Sequence, residues 1–326
     1  MRTRTLLSCV FLGLAVAGVG CGEPDGSVTD PGATSRKGVT YYYSGGWGCP
    51  TCDFRNSPFA GAYPVPAVAY GSSPDPNMPS MTEAMSPSGE YFPVDIDERG
   101  LVVVTPGGDV EGHALVGWTI LLKIPGQGIE EVQIYNYADV PDWTDNGDPV
   151  PTFGLSLPHQ GDGGVNLCPG MDLDETSVVF LDGEVYDLTQ TGADAAKSMA
   201  NVATLGCRGH ALAKMKLLGY DPNSAFTQTT NEERAATLRM VTADYCGDGQ
   251  SHTVFGTAVD WTDYAGHVQY DPSTMGQDIE AEWTEFGATC FNKARVAGTQ
   301  PSCSLPLCPD TFGGHDGNSQ WTSLLP

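Results

Sequence analysis

Thr242-Ala243-Asp244-Tyr245-Cys246-Gly247-Asp248-Gly249 joins the end of a helix to a tight Gly/Asp turn and sets a cysteine at the junction. Upstream, Thr230-Asn231-Glu232-Glu233 fits a capping box, in which a threonine hydroxyl and a glutamate three residues on each satisfy a free backbone N–H. Ala235, Leu238, Val241 and Tyr245 then recur at helical spacing, so one helix runs from Thr230 to the turn. An earlier helical stretch lies within Asn201 to Gly219, where Cys207, Ala211, Leu212, Met215 and Leu218 fall near one face. Gly219 is its stop, with Pro222 just beyond. Two consecutive helices joined by a short loop pack antiparallel, which brings Cys207 beside Cys246 and predicts a disulfide between them.

Around this helical pair the pattern is strands. Leu101-Val102-Val103-Val104 ends at the turn Pro106-Gly107-Gly108. Ala114 to Ile124 is apolar and ends at Pro125-Gly126. Val132 to Tyr137 alternates as a half-buried strand does. Val178 to Tyr186 predicts a hairpin turning at Asp182-Gly183. After the pair, His252 to Trp261 and His267 to Tyr270 predict another hairpin. Glu280 to Arg295, carrying Trp283, Phe286 and Cys290, predicts a last helix. The expected fold is therefore α+β: an antiparallel β-rich domain with a disulfide-linked helical pair and a C-terminal helix. No βαβ alternation and no Gly-rich phosphate loop is present, which argues against a nucleotide-binding sheet.

The N-terminus speaks to compartment. Arg2 and Arg4 precede an apolar run from Leu6 to Val19, shorter than the ~20 residues a bilayer span needs. Gly18-Val19-Gly20-Cys21 follows, a lipobox-like sequence with Gly18 where an aliphatic residue is usual, so Cys21 is the expected lipidation site. Residues 1–21 are thus a lipoprotein signal peptide, and 22–38, rich in Gly, Pro, Asp, Ser and Thr, a flexible linker. Residues 39–90 form an irregular Cys/Pro/Gly-rich segment, 91–296 the α+β domain, and 297–326 a coiled tail with a Cys-bounded loop.

The net charge is −25, which excludes the positive field that nucleic acid binding requires. Of ten cysteines, Cys9 lies in the signal and Cys21 takes the lipid. The even remainder, Cys49, Cys52, Cys168, Cys207, Cys246, Cys290, Cys303 and Cys308, predicts disulfides in an exported chain. Beyond Cys207 with Cys246, Cys303 can close a loop with Cys308. Cys49 can bridge Cys52 or a distant partner, and Cys168 is left for Cys290.

The run Arg239 to Gly249 resembles the core of the ADYC domain family, with similar features at Gly209-His210-Ala211-Leu212-Ala213-Lys214, Gly219-Tyr220, Gly256-Thr257 and Val259-Asp260. The resemblance covers roughly Leu101 to Val296. It implies an exported, cysteine-rich protein, often a lipoprotein, and carries no catalytic or ligand residue across.

Four chemistries are open to these residues. A thiol enzyme would use Cys246 as nucleophile, His252 as base and Asp260 as its orienting group. A cysteine at a helix C-terminus, flanked by Asp244 and Asp248, has a raised pKa, which favours a disulfide instead. Cys49-Pro50-Thr51-Cys52 has redox or metal spacing but lies in coil-like flanks, which favours a structural bridge. Calcium would be held by Asp142, Asp145 and Asp148, or by Asp172, Asp174 and Glu175. Tyr41, Tyr42, Tyr43, Trp47, Tyr135, Tyr137 and Trp143 could form a carbohydrate or peptide platform. No cofactor is expected. The expected role is a cell-envelope, outer-membrane or cell-surface lipoprotein acting as a non-catalytic binding or structural module. Its partners would be the membrane, through the lipid, and an envelope protein or glycan. The alternatives are an envelope thiol enzyme or hydrolase using Cys246 and His252, and a calcium-stabilised adhesion module.

Overall fold

The computed structural model describes residues 58–60, 63–71, 77–144, 149–158, 164–168, 177–223, 228–254, 257–268, 277–309 and 319–326. The expected signal, lipidation site and linker, with Cys49 and Cys52, lie outside them. The chain divides into two units, Met1–Asp30 and Pro31–Pro326, and every described residue belongs to the second. Among the described residues no helix is long and apolar enough to cross a bilayer.

The strands begin with a small ribbon, β1 (Phe59–Ala60) and β2 (Tyr63–Pro64). Next come β3 (Ala67–Tyr70), β4 (Ser80–Met85), β5 (Tyr91–Asp97), β6 (Gly100–Thr105), β7 (Gly108–Glu111) and β8 (Thr119–Ile124). They are followed by β9 (Gly128–Val140), β10 (Val150–Leu157), β11 (Val165–Asn166), β12 (Ser177–Tyr186) and β13 (Ala196–Cys207). Helices α1 (Ala211–Leu217) and α2 (Asn231–Thr242) come next, then β14 (Asp260–Asp263), β15 (Asp278–Thr284), β16 (Gly287–Phe291) and β17 (Trp321–Leu325).

Seven strands close a barrel in the order β3-β13-β12-β10-β9-β8-β4. All neighbours are antiparallel except the closing pair, where β3 lies parallel to β4 with Ala69 opposite Ser80 and Tyr70 opposite Met81. The barrel is therefore mixed, not purely antiparallel. β5, β6 and β7 continue from β4 as a meander, and the expected turn at Pro106 to Gly108 joins β6 to β7. Side chains fill the barrel: Ile120, Leu122, Val132, Ile134, Leu155 and Leu205 are fully buried. Phe153 meets Tyr137 and Phe180 edge-on at ring separations of 5.2 Å and 5.6 Å. A small barrel packed this way is a core, not a ligand chamber.

A second sheet, β14-β17-β15-β16, is antiparallel. α1 and α2 share one core with the outer face of the barrel and with Ala281, Trp283 and Trp321 of this sheet. Gly206 permits the first contact: a Cβ there would stand 2.8 Å from the Leu212 Cβ, so α1 lies directly on the strand backbone. Buried cationic side chains tie both helices to β12. Arg234 forks onto Glu184 at 2.6 and 2.8 Å, and Lys216 reaches Asp221 at 2.6 Å and the Phe180 carbonyl at 2.7 Å.

The structure corrects several expectations. Val178 to Tyr186 is one continuous strand, because Val178 and Phe180 face the barrel core while Val179 and Leu181 face the helices. The pairing with β13 shifts register between Asp182 and Glu184, the extra residues lying on β13, and Gly183 stands at φ +78, so the left-handed glycine is used without a chain reversal. Asn201 to Cys207 is strand, and the helix begins only at Ala211. Glu280 to Arg295 is not a helix but the hairpin β15–β16, so there is no C-terminal helix among the described residues. Among the described residues the hairpin expected after α2 is not formed: β14 pairs with β17, and Tyr270 lies outside them. Two strands of the barrel, β3 and β4, come from the segment expected to be irregular. The tail expected to be coil supplies β17, an inner strand of the second sheet.

Candidate functional site

Each residue of the run 243–246 has a separate structural task. α2 starts as expected: the Thr230 hydroxyl accepts from the Glu233 N–H at 3.2 Å, and the Glu233 carboxylate accepts from the Thr230 N–H at 2.7 Å. Its far end closes in a Schellman motif, with the Asp244 N–H on the Arg239 carbonyl at 2.9 Å and the Ala243 N–H on the Met240 carbonyl at 3.2 Å. Ala243 takes the left-handed conformation, φ +54, that this motif requires.

Asp244 then organises the turn. Its carboxylate pairs with the Arg239 guanidinium and accepts the N–H groups of Asp248 at 3.1 Å and Gly249 at 3.0 Å. Both partners of the pair are buried. Arg239 also donates to the carbonyls of Glu285 at 2.7 Å and Gln190 at 2.6 Å. One guanidinium thereby ties the helix end to β15–β16 and to the loop after β12. Burial raises the Asp244 carboxyl above its ordinary pKa, opposed by Arg239 and the Gly249 N–H.

Tyr245 donates its hydroxyl to Glu280 Oε1 at 2.5 Å. Glu280 is gripped by Arg295 at 2.8 Å through both Nε and Nη2, and Arg295 in turn caps the Met240 carbonyl at 2.9 Å. Burial, then the Glu280 charge, pushes the Tyr245 hydroxyl pKa up. The Tyr245 ring packs on Trp283 and Phe291 at 5.3 and 4.8 Å. Cys246 is bonded to Cys303.

A family model for the ADYC domain matches residues 112–297. The chain belongs to the ADYC domain family. No curated protein and no solved structure matches it. The ADYC run is thus an αL helix stop, a buried ion pair, a buried tyrosine–carboxylate bond and a disulfide, in that order. The matched range leaves out β3, β4 and β17, so the ADYC fold of this chain draws strands from both sides of it.

The cysteines pair differently from expectation. Among the described residues the bonds are Cys168–Cys207, Cys246–Cys303 and Cys290–Cys308. Cys207 ends a strand and is buried in the barrel core, so it never faces the end of α2. The pairings Cys207–Cys246, Cys168–Cys290 and Cys303–Cys308 are all replaced.

The catalytic set does not assemble. Cys246 holds no thiol. His252 sits under Tyr245 with Nδ1 3.2 Å from the Ala243 carbonyl, while Asp260 accepts from Gln277 Nε2 at 2.8 Å. His252 and Asp260 share no hydrogen bond. Of the calcium candidates only Asp142 is described, and it accepts from the Thr144 N–H and hydroxyl at 3.2 and 2.6 Å. Asp145, Asp148, Asp172, Asp174 and Glu175 lie outside the described residues. Among the described residues no group of three or more His, Cys, Asp or Glu is placed to hold a metal. Of the aromatic platform, Tyr137 packs on Phe153 and Trp143 stacks on Trp261 at 6.1 Å, both half-buried. Tyr135 lies over Gly154. Tyr41, Tyr42, Tyr43 and Trp47 lie outside the described residues.

Sequence reasoning missed Arg239, Glu280 and Arg295. Their signal was charge inside otherwise apolar elements: a buried ion needs a buried partner, and these three sit within or beside runs that pack into the core.

Proposed function

We propose that this ADYC protein is an exported lipoprotein of the cell envelope, anchored through Cys21, and that it serves as a rigid non-catalytic module that binds or braces an envelope protein or glycan. The observation that carries this reading is the Cys246–Cys303 bond, which turns the family signature into framework instead of a nucleophile. Three disulfides suit an oxidising extracytoplasmic compartment. The inward use of Asp244 and Tyr245 supports the same view, since neither offers its polar group to a ligand. Acyl chains contribute about 0.8 kcal/mol per buried methylene, so an N-terminal lipid would hold the domain firmly at a membrane.

Fractionation of cells producing the full chain tests the anchor. Cys21→Ser moves the protein from the membrane to the soluble fraction, and a variant that stays with the membrane refutes lipid attachment.

A further inference from the structure

The three disulfides among the described residues differ in how they meet solvent. Cys168 and Cys207 are 0 % exposed, and Cys290 and Cys308 are 5 % and 4 % exposed. Cys246 and Cys303 are both partly exposed, on a stretch where Ala297, Gly298, Gln300, Ser302, Ser304 and Leu307 also face water.

We infer that Cys246–Cys303 is a thiol–disulfide exchange site, opened by an external dithiol while the other two bonds stay closed. The contacts of the sulfurs give the exchange a direction. The Cys303 N–H donates to Cys246 Sγ at 3.0 Å, and the Ser302 hydroxyl donates to the same sulfur at 3.4 Å. Both donors stabilise negative charge on Cys246; of the two flanking carboxylates, Asp244 is paired with Arg239, and Asp248 is exposed to water and accepts the Gln250 N–H at 3.0 Å. Cys246 is therefore the leaving sulfur and Cys303 the one attacked, since exchange is faster when the departing thiolate is stabilised. One thiolate of the dithiol bonds to Cys303 Sγ as the Cys246–Cys303 bond breaks. The electron pair departs on Cys246, which takes a proton from water. The second thiol of the reagent then displaces Cys303, which is reduced, and the reagent leaves as a disulfide.

Opening this bond has a local effect. The turn after α2 stays in place through the Ala288 N–H on the Tyr245 carbonyl at 2.9 Å and through Arg239. Residues 306–308 stay in place through the Phe291 N–H on the Pro306 carbonyl at 2.9 Å, the Cys308 N–H on Asn292 Oδ1 at 2.8 Å, and Cys290–Cys308. Between them, among the described residues, the arc 296–305 makes no hydrogen bond out of itself except those to Cys246 Sγ, and Leu305 is its one side chain packed against the core. Such a segment opens at low free energy. Reduction would release this arc and leave the barrel and both helices intact, a redox-controlled change in the surface the module presents. The inference is independent of lipid attachment at Cys21.

Graded dithiothreitol on the native full chain, followed by iodoacetamide and peptide mass mapping, tests it. Cys246 and Cys303 should be labelled at least about tenfold faster than Cys168, Cys207, Cys290 and Cys308, with the circular dichroism spectrum unchanged. Labelling of all six together, labelling of either buried pair first, or no labelling at any concentration overturns it. Reduced glutathione in place of the dithiol tests the direction: the adduct belongs on Cys303, and an adduct on Cys246 contradicts the assignment.

Discussion

Arg239 and Asp244 form a buried ion pair across the last turn of α2, and that pair holds the helix stop, the turn to Gly249 and the β15–β16 connection together. Removing one partner leaves an uncompensated buried charge. Arg239→Met should lower unfolding stability by about 3–5 kcal/mol in urea titrations, and Asp244→Ala by a similar amount. The double variant should cost clearly less than the sum. A simple sum would mean the pair is not coupled.

That pair also marks what could be read from the chain alone. The capping box at Thr230 and Glu233 was legible because both halves lie within one helical turn. The β6–β7 hairpin was legible because Pro106 to Gly108 interrupts an apolar strand. The strand β12 was misread because it is apolar on both faces, one toward the barrel and one toward α1, so its left-handed Gly183 looked like a chain reversal. β15–β16 was misread because Trp283, Phe286 and Cys290 stand three and four apart, a helical spacing. In the structure Phe286 is in the hairpin turn and 63 % exposed, while Trp283 is fully buried. The disulfides and the Tyr245–Glu280–Arg295 chain were illegible because their partners lie far apart in sequence and meet only through the tertiary fold.

Gly247 should tolerate nothing larger. It has φ +67, and a Cβ there would fall 1.8 Å from the Phe286 carbonyl oxygen. Gly266 shares the positive φ, +79, but has open space around it. Gly247→Ala should therefore prevent stable folding or cost more than about 3 kcal/mol, whereas Gly266→Ala should cost about 1 kcal/mol. Equal thermal shifts for the two variants would show that the close approach of the turn to β15–β16 is wrong.

His210 precedes α1, and burial lowers its pKa from 6.5 to about 4. The folded state thus binds fewer protons than the unfolded chain between those two values. Stability from this group is fully present above about pH 6.5 and is lost as pH falls toward 4, by no more than about 1.4 kcal/mol per unit. His210→Gln should flatten the stability profile across that window. An unchanged slope would assign the acid sensitivity to other groups.

The central claim is that the ADYC signature is framework, closed by Cys246–Cys303. Alkylation of the native, unreduced protein, followed by non-reducing peptide mapping, tests it most directly. The account predicts no label on Cys246 and a peptide pair linking Cys246 to Cys303. Alkylated Cys246, or Cys246 linked to Cys207, would contradict it.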